Sequence, residues 1–146
     1  MEVFIAIDGY TLKSGFVIKE ICYIYRNGDF NHYLIRNPER ILSESERRTV
    51  RYTINHLNNL CYFDGDIPYN LISTLLEHLC NFKLYTYGEI AVKVLQDYLP
   101  NTEIENIQNH GYKMPATLPD SKCFRSHNQR YCAKAKAFDI KKYLGL

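Results

Sequence analysis

The chain has 146 residues, of which 46% are hydrophobic on a count that includes Tyr and Cys, 14% aromatic and 23% charged, with a formal net charge of +2. That length suits one compact domain, residues 1–146, with a real core, and the balance excludes disordered, collagen, coiled-coil and disulfide-scaffold classes. No stretch approaches the roughly 18 consecutive apolar residues of a membrane span, so no membrane partner is expected.

Residues 2–8, EVFIAID, form an apolar run that ends in an acid and reads as a buried strand, not a signal peptide. GYTLKSG follows as a turn-like segment. Residues 16–26, FVIKEICYIYR, are β-branched and aromatic and predict a second strand, with NGD after it as a hairpin signal. FNHYLIR, 30–36, predicts a third strand, stopped by Asn37-Pro38.

The period then changes from two to 3.6. Ser43 and Glu46 make a capping box ahead of Val50, Ile54 and Leu57, which predicts a helix over about 44–60. YFDGD breaks it. Pro68 suits a first helical turn, and Leu71, Leu75, Leu76 and Leu79 share one face through about residue 80. KLYTYG, 83–88, predicts a strand, 89–99 a short helix ended by Pro100, and 103–108 a last strand. A proline-containing loop leads to a helix over about 128–144, whose apolar side is Cys132, Ala135, Ile140, Tyr143 and Leu144. The order β-β-β-α-α-β-α-β-α predicts an α/β fold: an antiparallel meander continued by β/α units in one mixed sheet covered by helices.

The charge is uneven. From Ser121 onward, Lys122, Arg125, Arg130, Lys134, Lys136, Lys141 and Lys142 face only Asp139, about +6 formally, which leaves about −4 on the first 120 residues. Such a segment is either a footprint for phosphates or a solvated helix face. The five cysteines are odd in number and never spaced C-x-x-C, which predicts reduced thiols in the cytoplasm or nucleus.

Few residues carry chemistry. Asp8, at the end of the first strand, could hold a divalent cation, though an Asp-Gly turn explains it equally well. Alternation places Glu20 on the face of Ile18 and Cys22, where a carboxylate needs a metal, a basic group or backbone donors, while Lys19 points to the other face. Cys123, His127 and Cys132, with His110 upstream, are zinc-ligand types at a non-standard spacing; buried thiols beside a loop histidine are the alternative. No Ser-His-Asp order, phosphate-binding glycine loop or dinucleotide fingerprint occurs.

Three segments resemble the exonuclease branch of the ribonuclease-H-like fold, the four-carboxylate (DEDD) family with a catalytic histidine. FIAIDGYTL is similar to its opening strand, D-x-E-[TS]-T-G-L. GDIPYNLISTLLEHLCNFKLYTYGEIAVKVLQDYL resembles its central stretch, and HNQRYCAKAKAFDIKKYL its closing helix, H-x-x-x-x-D-A. The resemblance implies Asp8 as the first metal-binding acid and His127 as the general base. Tyr10 stands at the second acid, about Ala91 at the third with Glu89 nearby, and Cys132 at the last.

Two divalent ions cannot be held by one carboxylate. The expectation is therefore a nuclease-derived domain with an eroded site that binds nucleic acid, or a protein partner, through Lys122, Arg125, Arg130, Lys134, Lys141 and Lys142. The alternatives are an active magnesium- or manganese-dependent nuclease using Asp8, Glu20 and His127, and a structural scaffold. Domains of this kind are expected of viruses and mobile elements.

Overall fold

The computed structural model describes residues 1–37, 42–54, 62–113 and 132–145. The strands are β1 (Glu2–Leu12), β2 (Gly15–Tyr25), β3 (Phe30–Arg36), β4 (Ile67–Pro68), β5 (Lys83–Thr86) and β6 (Ile104–Asn106). The helices are α1 (Glu44–Thr53), α2 (Ile72–Glu77), α3 (Glu89–Tyr98) and α4 (Ala133–Leu144). The fold is α/β, with one six-stranded sheet in the order β4-β3-β2-β1-β5-β6. β1 pairs antiparallel with β2, and β2 with β3, while β5 lies parallel to β1 and β6 parallel to β5. Three antiparallel strands followed by parallel ones are consistent with ribonuclease-H-like topology. No described helix is long and apolar enough to cross a membrane.

Local chemistry accounts for most boundaries. The NGD hairpin closes with the Tyr25 N–H on the Asp29 carbonyl at 2.8 Å and Gly28 at φ 99°. The capping box forms as expected: the Ser43 hydroxyl accepts from the Glu46 N–H at 3.1 Å, and the Glu46 carboxylate accepts from the Ser43 N–H at 3.1 Å. The sheet separates two apolar layers. Val3, Ile5, Ile7, Ile21 and Tyr23 pack under α2 and α3, whereas Phe4, Ala6, Cys22 and Ile24 pack under Ala133, Ala137 and Ile140 of α4. Tyr10, Leu12 and Val17, at the far end of the first hairpin, meet Val50 of α1.

Several expectations need correction. β1 continues to Leu12, so the turn is shorter than GYTLKSG. β4 is an added edge strand of two residues, and Pro68 belongs to it rather than to a helix; an edge accepts the missing N–H. α2 ends at Glu77, and its buried face is Ile72 and Leu76, with Leu79 buried in the turn after it and Leu71 exposed before it. β6 ends at Asn106, and residues 107–110 turn as a 3₁₀ helix. Of the last expected helix, residues 128–131 lie outside the described residues, as do Leu57 and 55–60 of the first.

The correction with most bearing on function is a β-bulge. Asp8 pairs with Glu20, but Gly9 pairs with Ile18, so Lys19 is an extra residue in β2. A bulge resets the two-residue alternation. Ile18 therefore joins the α2–α3 layer, while Glu20 and Cys22 face α4. Gly9 permits the close approach of the strands there: a Cβ on it would stand 2.0 Å from the Val17 carbonyl oxygen. Lys19 is buried, as a bulged residue beneath a loop can be. Its ammonium donates to the Ile35 carbonyl at 2.9 Å and to the Asp64 carbonyl, fastening the segment ahead of β4.

Candidate functional site

Two polar centres flank the bulge. The first is a cleft of about 690 Å³ beyond the carboxyl end of β5, against the middle of β1 at Ile7 and Asp8, so Asp8 lies inside its strand rather than at the expected strand end. In open α/β sheets, ligands bind in such crevices. Asp8 enters it from β1, Phe16 from β2, Tyr87 and Gly88 from the turn after β5, and Glu89 and Ala91 from α3. The turn is rigid. The Gly88 N–H donates to the Asn106 side-chain oxygen at 2.9 Å, and the Gln108 N–H donates to the same oxygen at 3.0 Å. Gly88 sits at φ 97°, a conformation that favours glycine.

The second centre is a buried cluster beneath the N-terminus of α4. Glu20 is wholly buried, and both of its oxygens are engaged. Oε1 accepts the Ala133 N–H at 2.9 Å, which caps α4, and Oε2 lies 2.5 Å from His32 Nε2. His32 reaches it diagonally across the sheet, because Cys22 pairs with His32 and Glu20 with Leu34. The Cys132 thiol stands 4.0 Å from Oε2. The first turn of α4 therefore presents its N–H dipoles to a carboxylate, the arrangement that stabilises both. Cys132 is fully buried, so it packs at the start of α4 and offers solvent no nucleophile.

The sequence-derived candidates fall into three groups. Asp8 and Glu89 share the cleft, and Asp8 and Glu20 are cross-strand partners in the register of the first hairpin. Tyr10, at the second acid's place, is buried with its ring 5.2 Å from that of Tyr62. Ala91 is buried on α3. His127, Cys123, Lys122, Arg125 and Arg130 lie outside the described residues, so the joint approach of Asp8 and His127 and the zinc set of Cys123, His127 and Cys132 lie there too. His110, the fourth zinc candidate, is instead bonded to Glu105.

Among the basic residues of α4, Lys142 is exposed and Lys141 half-buried. Lys134 differs from the solvent-facing cation expected of it. It is buried, with its ammonium 4.5 Å from the Phe30 ring centre and 5.8 Å from that of Phe138. Its helix position points at the sheet, and aromatic faces there replace water around the charge.

Sequence reasoning missed His32, and it missed the tyrosine contacts beside α4. Tyr87, Tyr112 and Tyr143 touch in series at 5.6 Å and 4.5 Å between ring centres. The Tyr112 hydroxyl donates to Asp139, and burial pushes that carboxyl above its ordinary range. Glu105 receives Lys83 at 3.0 Å and also His110; those bonds hold its carboxyl below the ordinary range.

A two-metal centre, which the resembled family would place at Asp8, does not fit these residues. Tyr10 and Ala91 supply no ligand atom suited to magnesium, Cys132 is a poor donor for a hard cation, and Glu20 is committed to His32 and α4. Among the described residues, no three His, Cys, Asp or Glu side chains are grouped to hold a metal. In comparison with known proteins, no family model, curated protein or solved structure matches the chain.

Proposed function

We propose that the chain is a nuclease-derived domain of the four-carboxylate exonuclease type that has lost phosphodiester cleavage and works by binding nucleic acid. The observation that carries this reading is the fate of the acid positions. Asp8 remains at the cleft beside the α3 N-terminus, where the resembled family builds its site. Tyr10 is a core ring against Tyr62, Ala91 is buried on the face of α3 that meets the sheet, and Cys132 is buried at the start of α4. Tyr10 and Cys132 have packing roles that a carboxylate could not fill without desolvation cost, and Ala91 brings no ligand atom to the cleft it borders. Lys141 and Lys142 supply cations on α4, and Lys122, Arg125 and Arg130 add positive charge to the sequence just ahead of it, which supports such binding.

Activity assays on the purified chain test this. Labelled single-stranded and duplex nucleic acid, with magnesium or manganese, are expected to show no turnover. Losing metal activation forfeits several kcal/mol, hence at least roughly a thousandfold in rate. Binding is expected to weaken steeply with salt, because each displaced phosphate counterion adds to the salt slope. Metal-dependent cleavage abolished by Asp8→Ala would replace this reading with an active nuclease. Binding indifferent to charge reversal at Lys141 and Lys142 would favour a scaffold that recognises protein.

A further inference from the structure

We infer that the tyrosine series beside α4 is a stacking path for a single strand of nucleic acid, running from the cleft rim at Tyr87 to the C-terminal turn of α4 at Tyr143. This rests on the nucleic-acid-binding reading and adds to it a surface and a mode of contact. Tyr112 is buried and braces the other two rings from behind, while Tyr143 is 47% exposed and Tyr87 lines the cleft, so these two are the faces a base can reach. The two contact distances place the outer rings at most about 10 Å apart. Stacked bases rise about 3.4 Å per nucleotide, so the rings suit bases a few nucleotides apart on one strand. A duplex hides its base faces and could not use them.

The rungs are fixed before any ligand arrives. The Tyr143 hydroxyl donates to the His110 carbonyl at 3.3 Å, the Tyr112 hydroxyl to Asp139, and the Gln108 amide to the Tyr87 hydroxyl at 3.5 Å. Rings held in place lose little entropy on binding. The surrounding charge favours phosphate. Lys113 and Lys142 are exposed beside Tyr112 and Tyr143, and Lys141 is half-buried on the same turn. Near Tyr112 and Tyr143 the carboxylates are already engaged, Asp139 by Tyr112 and Glu105 by Lys83 and His110, while Asp8 and Glu89 lie at the cleft end beside Tyr87, so the favourable charge is at the Tyr143 end. Aromatic faces interleaved with lysines are the pattern that grips single strands without reading sequence.

Fluorescence anisotropy with a labelled 12-nucleotide single-stranded DNA and the matching duplex, at fixed salt and without divalent metal, tests the path. Single-strand binding is expected to weaken roughly 5- to 150-fold in Tyr143→Leu, the range for one lost base stack, and to return to near the parental value in Tyr143→Phe, which keeps the ring. Duplex binding should not change in Tyr143→Leu. Unaltered single-strand binding in Tyr143→Leu, with loss in Lys141→Glu/Lys142→Glu, would overturn the stacking path and leave the nucleic-acid reading standing. Equal loss for strand and duplex in Tyr143→Leu would overturn the path as well. A parent chain that binds neither probe would overturn both.

Discussion

Replacing Glu20 tests the idea that one buried carboxylate anchors α4 to the sheet. In Glu20→Ala, the Ala133 N–H loses its acceptor at 2.9 Å and His32 its partner at 2.5 Å, both in a buried site. Each stranded polar group costs about 1–3 kcal/mol, and two are stranded here. A loss of about 4 kcal/mol follows. At about 3 °C per kcal/mol for a chain of this size, the melting temperature should fall by about 12 °C. Glu20→Gln keeps an oxygen for the Ala133 N–H but gives up the charge that favours a helix N-terminus. Its loss should be about 1.5 kcal/mol, or about 5 °C. Urea unfolding of parent, Gln and Ala variants measures these values, and amide exchange shows whether the first turn of α4 is the part released. A Glu20→Ala variant within about 1 kcal/mol of the parent would refute the anchoring. So would additivity of Glu20→Ala and His32→Ala, since groups in contact must couple.

Gly9→Ala should destabilise the domain by more than about 3 kcal/mol or leave it insoluble, because the added Cβ would meet backbone 2.0 Å away at the bulge; a soluble variant with a parental urea midpoint refutes it. Glu105→Gln should lower stability at pH 7 and lose its effect in acid. The carboxyl is held low by Lys83 and then His110, so its contribution is present above the unfolded carboxylate value of about 4.3 and lost as pH falls through the lower folded one. Thermal melts at pH 7 and pH 2.5 check this, and a difference from the parent that stays constant between them speaks against it.

The antiparallel meander and the helix start that follows it were legible in the sequence because their signals are local, whereas β4, two residues long and paired to β3, left none. NGD sets a hairpin, Ser43 and Glu46 set a helix start, and alternation gives way to a 3.6 period between them. The bulge was not legible from alternation, which carries no record of one inserted residue. Its signal was Gly9, a glycine inside an apolar run, where a strand's backbone must come close to its neighbour. Reading FVIKEICYIY as unbroken alternation put Ile18 with Glu20, and the bulge separates them. His32 could have been found by extending the hairpin register from the NGD turn, which sets it opposite Cys22 and diagonal to Glu20. The N-terminus of α4 could not, since it lies 113 residues from Glu20 in sequence and reaches it only through tertiary packing.

The two polar centres constrain one another through Glu20. To ligate a cation beside Asp8, this carboxylate would have to release the Ala133 N–H and His32. Giving up those partners costs about the 4 kcal/mol worked out above. A competing metal would then bind about a thousandfold more weakly than to a carboxylate free to turn, at about 1.4 kcal/mol per tenfold. The His32 ring and the positive end of α4 instead occupy the place of a cation. The carboxylate that a rebuilt metal site would most need is the one that keeps the basic helix in place. A docked α4 and a metal beside Asp8 therefore compete for one carboxylate, which supports the proposed loss of cleavage.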